Sequence, residues 1–114
     1  VIAFLVTGVA ASAPEMLGEP YVNAAGHQYG RMLIQPMLVF EADLSGLQRA
    51  HQVGVDKELT MLPYVFAMFS TGHDEANRAV FMAEDASNLN LVGLALRGSK
   101  KAVDKAVKGL SLHK

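Results

Sequence analysis

The sequence predicts an α/β layered domain, and three observations predict it. Residues 89–96 form an almost unbroken apolar run with no proline, the signature of a strand covered on both faces. Two further apolar stretches, residues 32–40 and 60–69, each carry a proline, Pro36 and Pro63. Proline cannot donate to a ladder, which puts these two strands at sheet edges and the third in the interior. Helical patterns separate the three, and strands alternating with helices build layered domains.

Taken in order, residues 1–11 are apolar and read as a buried helix ended by Pro14. Ala11-Ser12-Ala13 is similar to the close of a secretory signal, but no basic segment precedes the apolar core. The run is also too short to span a bilayer. An interior strand needs a neighbour on both sides, so a further strand is expected ahead of Val1. Gly18, Pro20, Asn23, Gly26 and Gly30 mark residues 14–31 as a long loop, with a short extended piece at 19–23. Residues 32–40 (MLIQPMLVF) follow as the first edge strand. Asp43 is placed to cap a helix over 44–53 that turns Leu44, Leu47, Ala50 and His51 to one side and stops at Gly54.

Residues 60–69 (TMLPYVFAMF) read as the second edge strand. The polar residues 70–78 open into a short helix, with Thr71 and Asp74 at capping-box spacing and aspartate in place of the usual glutamate. After the interior strand, residues 88–97, Gly98 permits a sharp turn and Ser99 caps the last helix. Val103, Ala106, Val107 and Leu110 form the buried face of that helix.

A length of 114 residues gives one domain with a modest core. Ten basic residues against eleven acidic ones leave a net charge of -1, which describes an ordinary globular chain and names no polyanionic partner. The absence of cysteine excludes disulfides and thiolate metal sites and fits a cytoplasmic protein.

The C-terminal segment LVGLALRGSKKAVDKAVKGLSLH resembles the closing strand and helix of the peptidyl-tRNA hydrolase II fold, with Val103, Asp104, Lys105, Leu110 and Leu112 carrying the match. Over its whole length, through VIAFLVTGVA, GEPYVNAAGHQYG and MFSTGHDEANRAVF, the chain resembles an uncharacterised bacterial family of that fold. The resemblance implies a three-layer α/β/α domain with a four-stranded mixed sheet in the order 2-1-4-3, whose first strand is missing from this chain. It also implies a homodimer. The catalytic pattern of the hydrolases does not carry over. Where they have Asp-Ala-Gly-x-Thr after the third strand, this chain has Ser70-Thr71-Gly72-His73-Asp74-Glu75.

The strongest local candidate for chemistry is the polar segment after the second edge strand, since α/β domains place sites at strand ends. There His73 and Asp74 are candidate acid-base residues, and Thr71, Asn77 and Arg78 candidate binding residues. The plain alternative makes Asp74 a helix cap and pairs Glu75 with Arg78 on the surface. Lys100, Lys101, Lys105, Lys108 and Lys114 stand against Asp104 alone at the C-terminus. Lys101 and Lys105, with Lys108 on the same stripe, are candidates for an RNA backbone or phosphate, or else lysines that suit the C-terminal dipole of a solvated helix. His27, His51, His73 and His113 are scattered without ligand spacing, so no metal and no cofactor is expected. Met32, Met37, Met61 and Met68 fill core gaps or line a surface for self-association.

Three functions follow: a divergent hydrolase acting at the strand end, a non-catalytic module binding a small molecule or RNA, and a structural homodimer. No membrane role is expected.

Overall fold

The computed structural model describes residues 1–113. It is a mixed α/β arrangement built on one antiparallel ladder, β2 (Thr60–Val65) against β3 (Leu91–Arg97), in register from Thr60 opposite Arg97 to Tyr64 opposite Gly93. Alternation along these strands gives each face its own helix. On one face α1 (Ile2–Ser12) lays Phe4 against Tyr64, Gly8 against Leu62, and Val1 and Leu5 over Gly93. On the other face α2 (Leu44–Asp56) meets Met61 and Leu96 at Gly54. Gly93 and Gly54 are both small for the same reason: a Cβ at Gly93 would lie 2.6 Å from Val1 Cγ1, and one at Gly54 would overlap Met61.

The remaining elements follow from their caps. Asp43 accepts from the Gly46 amide at 2.8 Å and starts α2. Ser99 accepts from the Ala102 amide at 3.3 Å and starts α4 (Lys100–Ala106), whose buried Ala106 faces α2. A short antiparallel pair, β1 (Phe40–Glu41) and β4 (Ser111–Leu112), ties the segment before α2 to the residues after α4. The core centres on Val65, Leu89 and Leu91, with Leu47, Met68 and Phe81 packed around them.

Several sequence expectations need correction. The edge strand over 32–40 is reduced to Phe40–Glu41 and a single bridge from Leu33 to Leu17. Pro36 lacks a donor, the chain bends at Ile34 and Gln35, and the pairing stops there. The loop over 14–31 is more ordered than its glycines suggest. Tyr21 and Tyr29 share a backbone bond, Asn23 pairs with His27, and Gly26 turns at φ 86°, making an irregular hairpin.

The strand over 60–69 ends at Val65, where the register shifts, and Phe66–Ser70 winds into a 3₁₀ turn. Helix α2 runs through Gly54 to Asp56, because Gly54 serves close packing rather than termination. The last helix is shorter than expected, and β4 follows it. Among the described residues the strands form two separate two-stranded ladders, β1 with β4 and β2 with β3.

Candidate functional site

The polar segment after β2 sits where the sequence places it, but its side chains do different work. Helix α3 (Asp74–Met82) is capped by His73, not Thr71: the His73 ring nitrogen Nδ1 accepts from the Ala76 amide at 3.2 Å. An imidazole that accepts at Nδ1 carries its proton on Nε2, so its free nitrogen is a donor rather than a base. Asp74 does not reach His73. Its carboxylate accepts from Arg78 Nε at 2.8 Å across one helical turn, and that bond holds the Arg78 guanidinium above its ordinary range. The surface pair is therefore Asp74 with Arg78, in place of Glu75 with Arg78.

Thr71 and Asn77 are the two candidates that the fold does bring together. The Thr71 hydroxyl bonds the Met68 carbonyl at 2.8 Å and is hydrogen-bonded to the Asn77 carboxamide, tying the 3₁₀ turn to α3. Both are half-buried, and the contact fixes the angle between the turn and the helix.

The lysine stripe is not continuous. Lys100 pairs with Asp104 at 2.7 Å, which raises its ammonium above the usual value, while Lys101 and Lys105 are exposed on α4. Lys108 lies past the helix end, where its carbonyl accepts from Arg49 Nη2 at 3.0 Å. Lys114 is outside the described residues. Among the described residues, no three His, Asp or Glu side chains gather as metal ligands, and no helix is long and apolar enough to cross a membrane.

The feature that sequence reasoning missed is aromatic. Phe4, Tyr64, Phe69 and Phe66 form a continuous row, with ring centroids 5.8, 5.2 and 5.7 Å apart and edge-on or tilted contacts. Phe4, Phe66 and Phe69 are each more than half exposed. Reading 60–69 as a strand puts Phe66 and Phe69 on opposite faces. In a 3₁₀ turn positions i and i+3 eclipse, so the two rings share one side. A surface concavity lined by Gly18, Tyr21, Met32 and Ile34 and another lined by Asp43, Gly46, Arg49 and Gly109 lie elsewhere, and neither includes His73 or the aromatic row.

The family profile that matches spans residues 1–114 and describes a protein of unknown function. The chain belongs to the DUF2000 family. A solved protein of similar structure, a protein of unknown function from Agrobacterium strain C58, is 42% identical. The match covers 99% of this chain and 84% of that one, with a TM-score of 0.95. No curated protein matches. For this DUF2000 chain the family assignment carries no reaction, so any function has to come from the geometry.

Proposed function

We propose that this protein is a non-catalytic association module and that the row Phe4, Tyr64, Phe69 and Phe66 is the surface on which two copies meet. The observation that carries the reading is the row itself: four rings in mutual contact, three of them mostly in water. Aromatic side chains bury large area at small entropic cost and dominate the centres of protein interfaces. Neither of the two concavities described above includes the row, which suits another protein surface better than a small ligand. A second copy fits it because the ridge bears no charge of its own, and a net charge of -1 leaves little repulsion between copies.

The acid-base reading finds less support in this geometry. Nδ1 of His73 is engaged as a cap and Asp74 is engaged with Arg78, so the two share no proton path. An RNA reading rests on Lys101 and Lys105 alone, too few phosphate contacts for substantial affinity. For the sheet, the three-layer, four-stranded order of the resemblance is retained as part of the proposal.

Light scattering on the eluting protein tests the reading. The parent is expected at the mass of two chains. A Phe66→Ser, Phe69→Ser variant is expected at the mass of one, with unchanged circular dichroism. A parent that elutes as a monomer, or a folded double variant that still dimerises, removes the proposal.

A further inference from the structure

Two exposed apolar features stand toward opposite ends of the β2–β3 ladder. Helix α1 runs along β2 with Phe4 against Tyr64 and Gly8 against Leu62, so its C-terminal end points toward Thr60. The chain leaving α1 forms the irregular hairpin, residues 17–33, and the base of that hairpin lies at the same end. There Arg97, opposite Thr60, donates to Gln35 at 3.1 Å. The aromatic row runs the other way, from Tyr64 past Val65 into the 3₁₀ turn.

The hairpin is an arm. Residues 21–32 are exposed without interruption, and a Cβ added at Gly26 or Gly30 would meet nothing within 4 Å. Its shape is nevertheless held. The Gly18 amide donates to the Met32 carbonyl at 2.8 Å, the Tyr29 amide to the Tyr21 carbonyl at 2.7 Å, and Arg31 Nε to the Gly18 carbonyl at 2.7 Å. Asn23 Nδ2 donates to the Tyr29 hydroxyl oxygen at 3.3 Å, which orients that ring. Tyr21, Val22, Tyr29 and Met32 each expose more than half of their surface, and from Pro20 to Gly30 there is no Asp, Glu, Lys or Arg. A two-stranded hairpin in water is marginal by itself and gains its stability by packing against another surface.

Area and position decide which surface. A specific interface takes about 800 Å² from each partner. Aromatic side chains bury about 150–250 Å² each, so the half-exposed rings of Phe4, Phe66 and Phe69 offer roughly 300–400 Å² in all. The row by itself therefore supplies about half of a stable dimer interface. The arm adds a comparable area, as free of charge as the row. Within one chain the two are held apart by the six residues of β2, about 20 Å of extended strand. In two copies related by a two-fold axis and lying antiparallel, each arm reaches the other copy's row and both contacts form together.

We infer that the aromatic row of one copy is covered by the hairpin arm of a second copy, with Tyr21, Val22, Tyr29 and Met32 seated on Phe4, Phe66 and Phe69, and that the exchange is reciprocal. The inference rests on the proposal that copies associate through the row, and it names the part of the partner that sits there. Rigid tyrosines against phenylalanines suit the centre of such a contact, because aromatic anchors on one side of an interface tend to meet anchors on the other. The two-fold axis also stops the assembly at two, whereas the same contact made head to tail would leave an arm and a row free at its ends.

Label transfer between copies tests it. The chain has no cysteine, so Ala25→Cys at the exposed tip of the arm takes a single nitroxide. This copy is mixed with an isotope-labelled parent copy whose amides are observed. The amides of Phe66–Ser70 in the observed copy are expected to lose most of their intensity and to regain it when the nitroxide is reduced. A Tyr21→Ser, Tyr29→Ser variant is expected to sediment as a single chain, with the amide spectrum of the β2–β3 ladder unchanged. If the parent sediments as two chains but the loss falls elsewhere, or the arm variant still pairs, the inference is overturned while association through the row stands. A parent that sediments as one chain at every concentration overturns both.

Discussion

At the scale of single residues, close packing of small side chains decides where the helices sit. Gly93→Val would drive two methyl groups into Val1 and Leu5, the latter 3.1 Å from where a Cβ would stand. A loss of about 1–3 kcal/mol is expected, read as a lower urea midpoint at unchanged slope. Val65 is the one large side chain wholly withdrawn from water among the described residues. Val65→Ala is expected to cost about 2 kcal/mol, from lost transfer energy plus the cavity left behind. His73 makes a sharper test of role. If it is a cap, His73→Ala loses about 1 kcal/mol while His73→Asp restores most of it, since aspartate caps well. Faster exchange at the Ala76 amide in the alanine variant alone would identify the lost bond.

At the scale of elements, the start of α2 is pH-dependent in a direction that can be worked out. The Gly46 amide, and after it the Ser45 hydroxyl, hold the Asp43 carboxyl below its ordinary range. A carboxyl depressed in the folded state contributes stability that is present above its unfolded pKa. That contribution is lost as pH falls through the lower folded value. Parent and Asp43→Ala are therefore expected to differ in urea midpoint at neutral pH and to converge as the solution is acidified below the ordinary carboxylate range. A gap that persists in acid would mean that Asp43 acts through something other than its charge.

The caps at Asp43 and Ser99 were legible in the sequence because capping is local chemistry read over three or four residues. Strand β3 was legible because its sequence is apolar on both faces. The aromatic row was not, since Phe66 and Phe69 meet only if β2 stops at Val65, and that stop comes from a register shift against β3. Gly54 misled for a related reason. A glycine that ends a helix and one that admits a neighbouring methionine look alike until the neighbour is known.

At the scale of the whole molecule, the chain is looser than its length requires. Its Cα radius of gyration is 15.9 Å, where about 13 Å is ordinary for a domain this long. The longest dimension is 52 Å, and few side chains are fully buried. The proposed association accounts for part of that openness, at the aromatic row that runs from α1 over Tyr64 of β2 to the 3₁₀ turn. It predicts that exposed apolar surface becomes covered in the working protein. The mixed α/β class and a family of unknown function were legible from patterns spread along the chain, whereas a reaction was not, because the polar residues that suggested chemistry are spent on caps and ion pairs.

The central claim is that copies associate through the aromatic ridge, and sedimentation equilibrium across a concentration series tests it most directly. The account predicts a mass that rises to that of two chains and a loss of this rise in the Phe66→Ser, Phe69→Ser variant, while the Lys101→Ala, Lys105→Ala variant behaves as the parent. A single-chain mass at every concentration in the parent would contradict it.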